Sequence, residues 1–216
     1  MTSRYDAVLF DLDGTLLYTL PDIHAALIAA LRECGHPTHT LDDTRRYVGN
    51  GSRKLVERSL PGGADDPDLE RTLAAYKRIY RENLVVETAP YPGIPELLAE
   101  LKGRGLGLGC VTNKPDANAK YILNKCFPGV FAAIEGSRDD RPLKPSPEAA
   151  RQAMATLGAA PERTLFVGDT DVDYFSAQSA GTGGVLVSWG FRPRAELEKL
   201  SPDALIDAPG ELLDYI

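Results

Sequence analysis

A chain of 216 residues can form one large domain, or a core with a smaller insert, and its formal net charge of −7 argues against a nucleic-acid surface. With 43% hydrophobic and 25% charged residues it has the composition of a soluble globular protein, and no stretch has the unbroken apolar length of a membrane span. Cys34, Cys110 and Cys126 lack metal-ligand spacing, and the N-terminus lacks a signal-type apolar stretch, so a cytoplasmic location is expected.

In chain order, the first apolar run is Ala7-Val8-Leu9-Phe10, a strand with no polar alternation. From about 16 to 87 the pattern is helical. Ile23, Ala26, Leu27, Ala30, Leu31 and Cys34 keep helical spacing up to a stop at Gly35. Leu55, Val56, Ser59 and Leu60 continue it, as do Leu69, Leu73, Tyr76 and Tyr80, with a break at Pro61-Gly62-Gly63. Strand runs return at 108–112, 164–167 and 185–187, and more weakly at 131–134 and 204–206. Ser146 and Pro147 read as the N-cap and first residue of a helix closed by Gly158; a second helix, 175–180, ends at Gly181. Apolar strands alternating with helices predict a Rossmann-like α/β parallel sheet, covered on both faces. The expected division is a discontinuous core, 1–15 plus 88–216, and an inserted helical cap, 16–87. Such an insert leaves from the carboxyl end of the first strand, where open α/β sheets bind ligands.

Charged side chains gather where these strands end. Asp11 and Asp13 flank Leu12 directly after the first strand, before Gly14 and Thr15. Carboxylates beside buried ground are costly unless a partner holds them. The second strand ends through Thr112 and Asn113, and Thr112 offers a hydroxyl to an oxyanion. Lys144 is restricted to an extended conformation by Pro145. Asp169 and Asp173 repeat the device of an apolar strand running into acids beside a glycine, and Asp171 reads as an exposed loop acid. Each feature alone has a plain structural reading as a polar strand end or turn; their recurrence points to a shared anion and cation site.

The set Asp11-Leu12-Asp13-Gly14-Thr15, Thr112, Lys144-Pro145, Gly168-Asp169 with Asp173 resembles the four ordered motifs of the haloacid dehalogenase superfamily, over nearly the whole chain. The helical insert resembles that family's C1 cap. The resemblance implies a phosphomonoester hydrolase using Mg²⁺, with an aspartyl-phosphate formed on Asp11. Asp13 would be the general acid and base and give its backbone carbonyl to the metal. Asp11, Asp169 and Asp173 would complete the metal site. Gly14, Thr15, Thr112, Asn113 and Lys144 would hold the phosphate. An acid at position 13 favours phosphate-ester chemistry over dehalogenation.

In the insert, the run Val48-Gly49-Asn50-Gly51 resembles the cap of phosphoglycolate phosphatases, and Gly51-Ser52-Arg53 is similar to a substrate loop of β-phosphoglucomutases. Asn50, Gly51, Arg53 and Lys54 are therefore expected to touch substrate, a small phosphate ester such as 2-phosphoglycolate. Tyr18-Thr19 replaces the Asp-Ser that commonly follows the first motif in those phosphatases. Trp189-Gly190-Phe191 resembles a loop near the site entrance. Neither a membrane nor nucleic acid is an expected partner, and the sequence specifies no oligomeric state. Phosphoryl transfer of the phosphomutase type is the alternative. A receiver-type phospho-acceptor switch or a non-catalytic phosphate binder are rivals from another class; motif order, Asp13 and the insert argue against the first, and the full set of charged positions against the second. Gly105 to Gly109 precedes its strand, so it is no dinucleotide fingerprint. His24, His36 and His39 have no zinc spacing.

Overall fold

The computed structural model describes residues 4–216. Its strands are β1 (Ala7–Phe10), β2 (Leu17–Tyr18), β3 (Ala89–Pro90), β4 (Gly107–Pro115), β5 (Ala133–Ser137), β6 (Thr164–Gly168), β7 (Gly183–Val187) and β8 (Ala204–Ile206). The helices up to β4 are α1 (Leu20–Cys34), α2 (Leu41–Tyr47), α3 (Gly51–Ser59), α4 (Leu69–Glu82) and α5 (Ile94–Gly103). Those after it are α6 (Asp116–Cys126), α7 (Glu148–Leu157), α8 (Asp171–Ala180) and the short α9 (Arg194–Leu197).

A parallel sheet runs in the order β5-β4-β1-β6-β7-β8. Counting only its own strands along the chain, that is the doubly wound order 3-2-1-4-5-6, with β1 at the switch point where such folds open a crevice. Continuous apolarity follows from helices on both faces. Val8 and Phe10 pack with Leu98, Leu101 and Ile122 of α5 and α6, whereas Leu9 and Phe166 pack with Ala150, Ala153 and Met154 of α7. Each large side chain removed from water there stabilises the fold by about 1.5–3 kcal/mol. Gly109 is needed for closeness, since a Cβ would lie 2.7 Å from Leu9 Cδ2.

The helices α1 to α4 bury Ile23, Leu27, Leu31, Leu73 and Tyr76 against one another. Gly35 ends α1 in the left-handed region at φ 81°. Thr40 and Asp43 cap α2 reciprocally. The chain crosses between this group and the sheet twice, and the crossings pair as the antiparallel ribbon β2–β3. Asp22 secures the second crossing: its buried carboxylate accepts from the backbone N–H of Val86 (3.0 Å), Glu87 (3.0 Å) and Thr88 (2.9 Å) and from Thr88 Oγ1 (2.7 Å).

Several elements differ from the sequence expectation. The 16–87 segment contains a strand after all, β2, but two residues carry no periodicity to read. The strand expected at 131–134 lies at Ala133–Ser137, because Phe131 packs edge-on against Phe127 outside the ladder. Helix α8 begins four residues early, at Asp171, since Thr170 and Asp173 form a capping box; Asp171 is exposed but sits in a helical first turn. Pro147 is the cap of α7 and not its first residue. His36 stands beside Asp66 and Asp68 on the surface of the helical group, with 3.4 Å between His36 Nε2 and Asp68 Oδ2.

Candidate active site

The carboxyl ends of β1, β4 and β6 deliver Asp11, Thr112 and Asp169 to one crevice. Asp11 still belongs to the sheet through its N–H, which donates to Val167 O at 2.9 Å, so its carboxylate is placed by the strand itself. Gly14 then turns the chain at φ 90°, where any Cβ would lie 2.4 Å from Asp169 Oδ2. That absence lets Thr15 Oγ1 donate to Asp169 Oδ1 at 3.0 Å. The loop after β7 approaches from the other side. Phe191 N donates to Asp169 Oδ2 at 2.7 Å, Trp189 Nε1 donates to Thr15 O at 3.1 Å, and a Cβ on Gly190 would be 2.3 Å from Asp169 Cβ.

Lys144 comes from the loop before α7, next to a cis Lys144–Pro145 bond. Its Nζ donates to Asp11 Oδ1 (2.7 Å), Asp173 Oδ1 (2.7 Å) and Val111 O (2.9 Å), which uses all three ammonium hydrogens. Asn113 fixes this loop, accepting from Lys144 N at 2.8 Å and donating to Lys144 O at 3.2 Å. The same amide donates to Gly49 O at 3.0 Å, joining the loop to the helical group. Asp173 faces two ways: its other oxygen accepts from Thr170 N and Oγ1. Gly168 makes room for it, since a Cβ there would be 2.2 Å from Asp173 Cβ.

Burial governs the electrostatics. It pushes the Asp11 carboxyl up to about 6 against the pull of Lys144. Burial also raises Asp169, helped by the neighbouring Asp173 and Asp11. Burial disfavours the Lys144 charge, but Asp11 and Asp173 outweigh it and hold the ammonium above its usual range. Three buried carboxylates thus face one buried ammonium. Asp11, Asp169 and Asp173 can each offer an oxygen within 4.8 Å of the others. An all-oxygen, negatively charged set of this kind fits a hard divalent cation.

The expected residues divide by position. Asp11, Asp13, Thr112, Asn113, Lys144 and Asp173 line one cleft together with Gly51, while Asp169, Gly14 and Thr15 lie directly beneath it. The structure does not bring Arg53 or Lys54 there. Both point outward from α3, Arg53 to Glu70 and Lys54 to Glu57, each at 2.5 Å. Helical spacing explains this: Leu55 and Val56 take the buried face, leaving 53 and 54 on the outer one. Asn50 lies off the cleft and accepts from Arg58 at 2.7 Å.

Sequence reasoning overlooked Lys114, Thr19 and the pair Tyr76 and Tyr80. Lys114 Nζ donates to both oxygens of Asp13, at 2.8 and 2.9 Å, and Thr19 Oγ1 adds a third contact at 2.6 Å. Tyr76 and Tyr80 stack at 5.6 Å and wall the cleft. A signal existed for Lys114, since it stands two residues beyond Thr112 on β4 and so shares its side of the strand. Thr19 keeps the hydroxyl of the expected Asp-Ser pair, whose acid is replaced by Tyr18.

A doubly wound sheet with carboxylates and a buried lysine converging at its switch point defines a Rossmann-like α/β enzyme. The chain belongs to the haloacid dehalogenase-like hydrolase family, whose model matches residues 5–181. It is 37% identical over 207 residues to phosphoglycolate phosphatase of Aquifex aeolicus, covering 95% of this chain and 94% of that one. It is 35% identical over 215 residues to N-acetylmuramic acid 6-phosphate phosphatase of Pseudomonas aeruginosa, covering 99% and 95%. Among solved structures it is similar to a haloacid dehalogenase-like hydrolase from Streptococcus pneumoniae, with a TM-score of 0.88, 28% identity and 98% of each chain covered.

Proposed function

We propose that the protein is a Mg²⁺-dependent phosphomonoester hydrolase, acting on a small phosphate ester and most of all on 2-phosphoglycolate. The observation that carries this reading is the pairing of Asp11 with Lys144 at the floor of a cleft, with Asp13 beside it. An Asp11 oxygen attacks phosphorus as the ester P–O bond breaks. Lys144, exchanging its contact with Asp11 for the incoming group, and Thr112 hold the transferred phosphoryl oxygens, where donors in a dry site stabilise developing charge. Asp13 gives its proton to the departing alkoxide. Asp13 then takes a proton from water as that water attacks phosphorus. The bond to Asp11 breaks, and phosphate leaves with the carboxylate restored. Asp11, Asp169 and Asp173, with the Asp13 carbonyl, would hold the Mg²⁺, which when bound offsets repulsion between carboxylate and phosphate.

The segment 16–87 acts in this reading as a cap on the core, with Gly51, Leu55, Tyr76 and Tyr80 closing the cleft from its side. Side chains from both sides, Tyr76, Tyr80 and Leu55 facing Asp11 and Lys144, narrow the cleft, which favours a compact ester. The similarity to the muramic acid 6-phosphate enzyme supports a second, bulkier substrate of the same type. Nothing in the cleft calls for a membrane or a nucleic acid, and a cytoplasmic enzyme is the reading adopted.

The test is phosphate release from a panel of 2-phosphoglycolate, hexose phosphates, nucleotides and pyrophosphate, with Mg²⁺ and after chelation. The proposal expects 2-phosphoglycolate to lead and chelation to stop turnover, with Mg²⁺ restoring it. Undiminished turnover in chelator would contradict the metal, and a leading hexose phosphate with a bisphosphate requirement would favour the phosphomutase reading.

A further inference from the structure

We infer that Lys114 is the substrate-carboxylate site, and that a carboxylate-bearing ester draws Lys114 away from Asp13 when it binds. This rests on the phosphatase reading above and adds to it the residue that selects the leaving group.

Lys114 is 6% exposed, and a buried ammonium carries a desolvation cost that a buried ion pair seldom recovers as stability. A packing role at this place would be met better by an apolar side chain. The ammonium nevertheless faces the cleft, with Nζ 4.8 Å from the centroid of the Tyr80 ring. Among the described residues lining the cleft, Lys144 and Lys114 are the cations. Lys144 is committed to the nucleophile Asp11 and to Asp173. Lys114 lies on the side of Asp13, the residue placed to meet the leaving oxygen. An ester with a phosphate at one end and a carboxylate at the other matches two cations so divided.

The hydrogen-bond inventory gives the exchange its sense. Lys114 donates to both Asp13 oxygens, and Thr19 Oγ1 also donates to Oδ1. With Lys114 in place, Asp13 Oδ1 is filled by Lys114 and Thr19, and Lys114 crowds Oδ2, which keeps one lone pair for the leaving group. A substrate carboxylate offers Lys114 a replacement anion, and Thr19 continues to hold Oδ1. Oδ2 is then open toward the ester oxygen. Substrates without a carboxylate provide no such replacement. Arg53 and Lys54, the basic residues first expected to select the substrate, are turned outward and tied to glutamates.

The experiment compares 2-phosphoglycolate with ethyl phosphate, which has the same phosphate and no carboxylate, in the full-length Mg²⁺-loaded enzyme. The quantity read is the ratio of the two kcat/KM values. The parent should prefer 2-phosphoglycolate strongly, and Lys114→Met should reduce that ratio by about 30-fold or more, the scale of one lost charge-assisted contact. Lys114→Arg should keep most of the ratio. Calorimetric binding of both esters to Asp11→Asn, with and without Lys114→Gln, gives the same comparison without turnover, and should show the loss for 2-phosphoglycolate alone. A parent enzyme with no preference for 2-phosphoglycolate overturns the substrate reading itself. A preference that survives in both Lys114→Met and Lys114→Gln overturns the assignment of Lys114.

Discussion

Replacing Asp22 with Asn tests how the helical segment is fastened to the sheet. The change is nearly isosteric, so its cost reports charge and acceptor capacity and little else. The carboxylate accepts from the N–H groups of three successive residues, Val86, Glu87 and Thr88, and from the Thr88 hydroxyl. A hydrogen bond to a charged acceptor contributes about 1.5–3 kcal/mol and a neutral one about 0.5–1.5, so weakening three or four of them costs about 3 kcal/mol. For a chain of this size that corresponds to a fall of about 6–12 °C in Tm. The assay is urea unfolding of parent and Asp22→Asn at neutral pH, repeated into acid. Burial opposes the Asp22 charge, but the bonds from Thr88, Glu87 and Val86 prevail and hold its carboxyl below the ordinary value of 3.8. A lowered folded value means that the contribution is complete above 3.8 and disappears as pH falls through the folded value. The gap between parent and variant should therefore be widest near neutrality and close in acid. A gap under about 0.5 kcal/mol at neutral pH, or one that ignores pH, would refute the reasoning.

Other substitutions have equally definite outcomes. Gly14→Ala combines a φ of 90° with a Cβ placed 2.4 Å from Asp169 Oδ2, so turnover should fall at least about 100-fold; near-parental kcat would deny Gly14 its role as the turn beneath Asp169. Arg53→Ala and Lys54→Ala remove only outward-facing ion pairs, and KM for the best substrate should change less than about 2-fold in each. A tenfold rise in KM would restore those residues to the substrate site.

The sheet was legible where burial is two-sided. β1 and β6 read as strands because Val8, Leu9 and Phe10, or Leu165, Phe166 and Val167, all lose water and all must be apolar. Helix α1 was legible down to its last residue because Gly35 supplies the left-handed stop. β2 was not, since its two residues are held by pairing with β3, which lies about seventy positions away. Asp11 and Asp169 announced themselves as carboxylates at strand ends. Lys144, held by Pro145, was legible as their counter-charge. The pairing of Lys114 with Asp13 was not, because it depends on tertiary approach across 101 positions. Arg53 and Lys54 misled for a related reason. A glycine-led basic helix start fits an anion, but the rotation of α3 about its axis is set by where Leu55 and Val56 are buried.

The central claim is that Asp11 takes the phosphoryl group. The direct measurement is rapid acid quenching of Mg²⁺-loaded enzyme during turnover of 2-phosphoglycolate, followed by peptide mass spectrometry. The account predicts one phosphoryl group on the peptide bearing Asp11, absent from Asp11→Asn, which should fold as the parent does and not turn over. Phosphoryl label on another residue, or substantial turnover by Asp11→Asn, would contradict it.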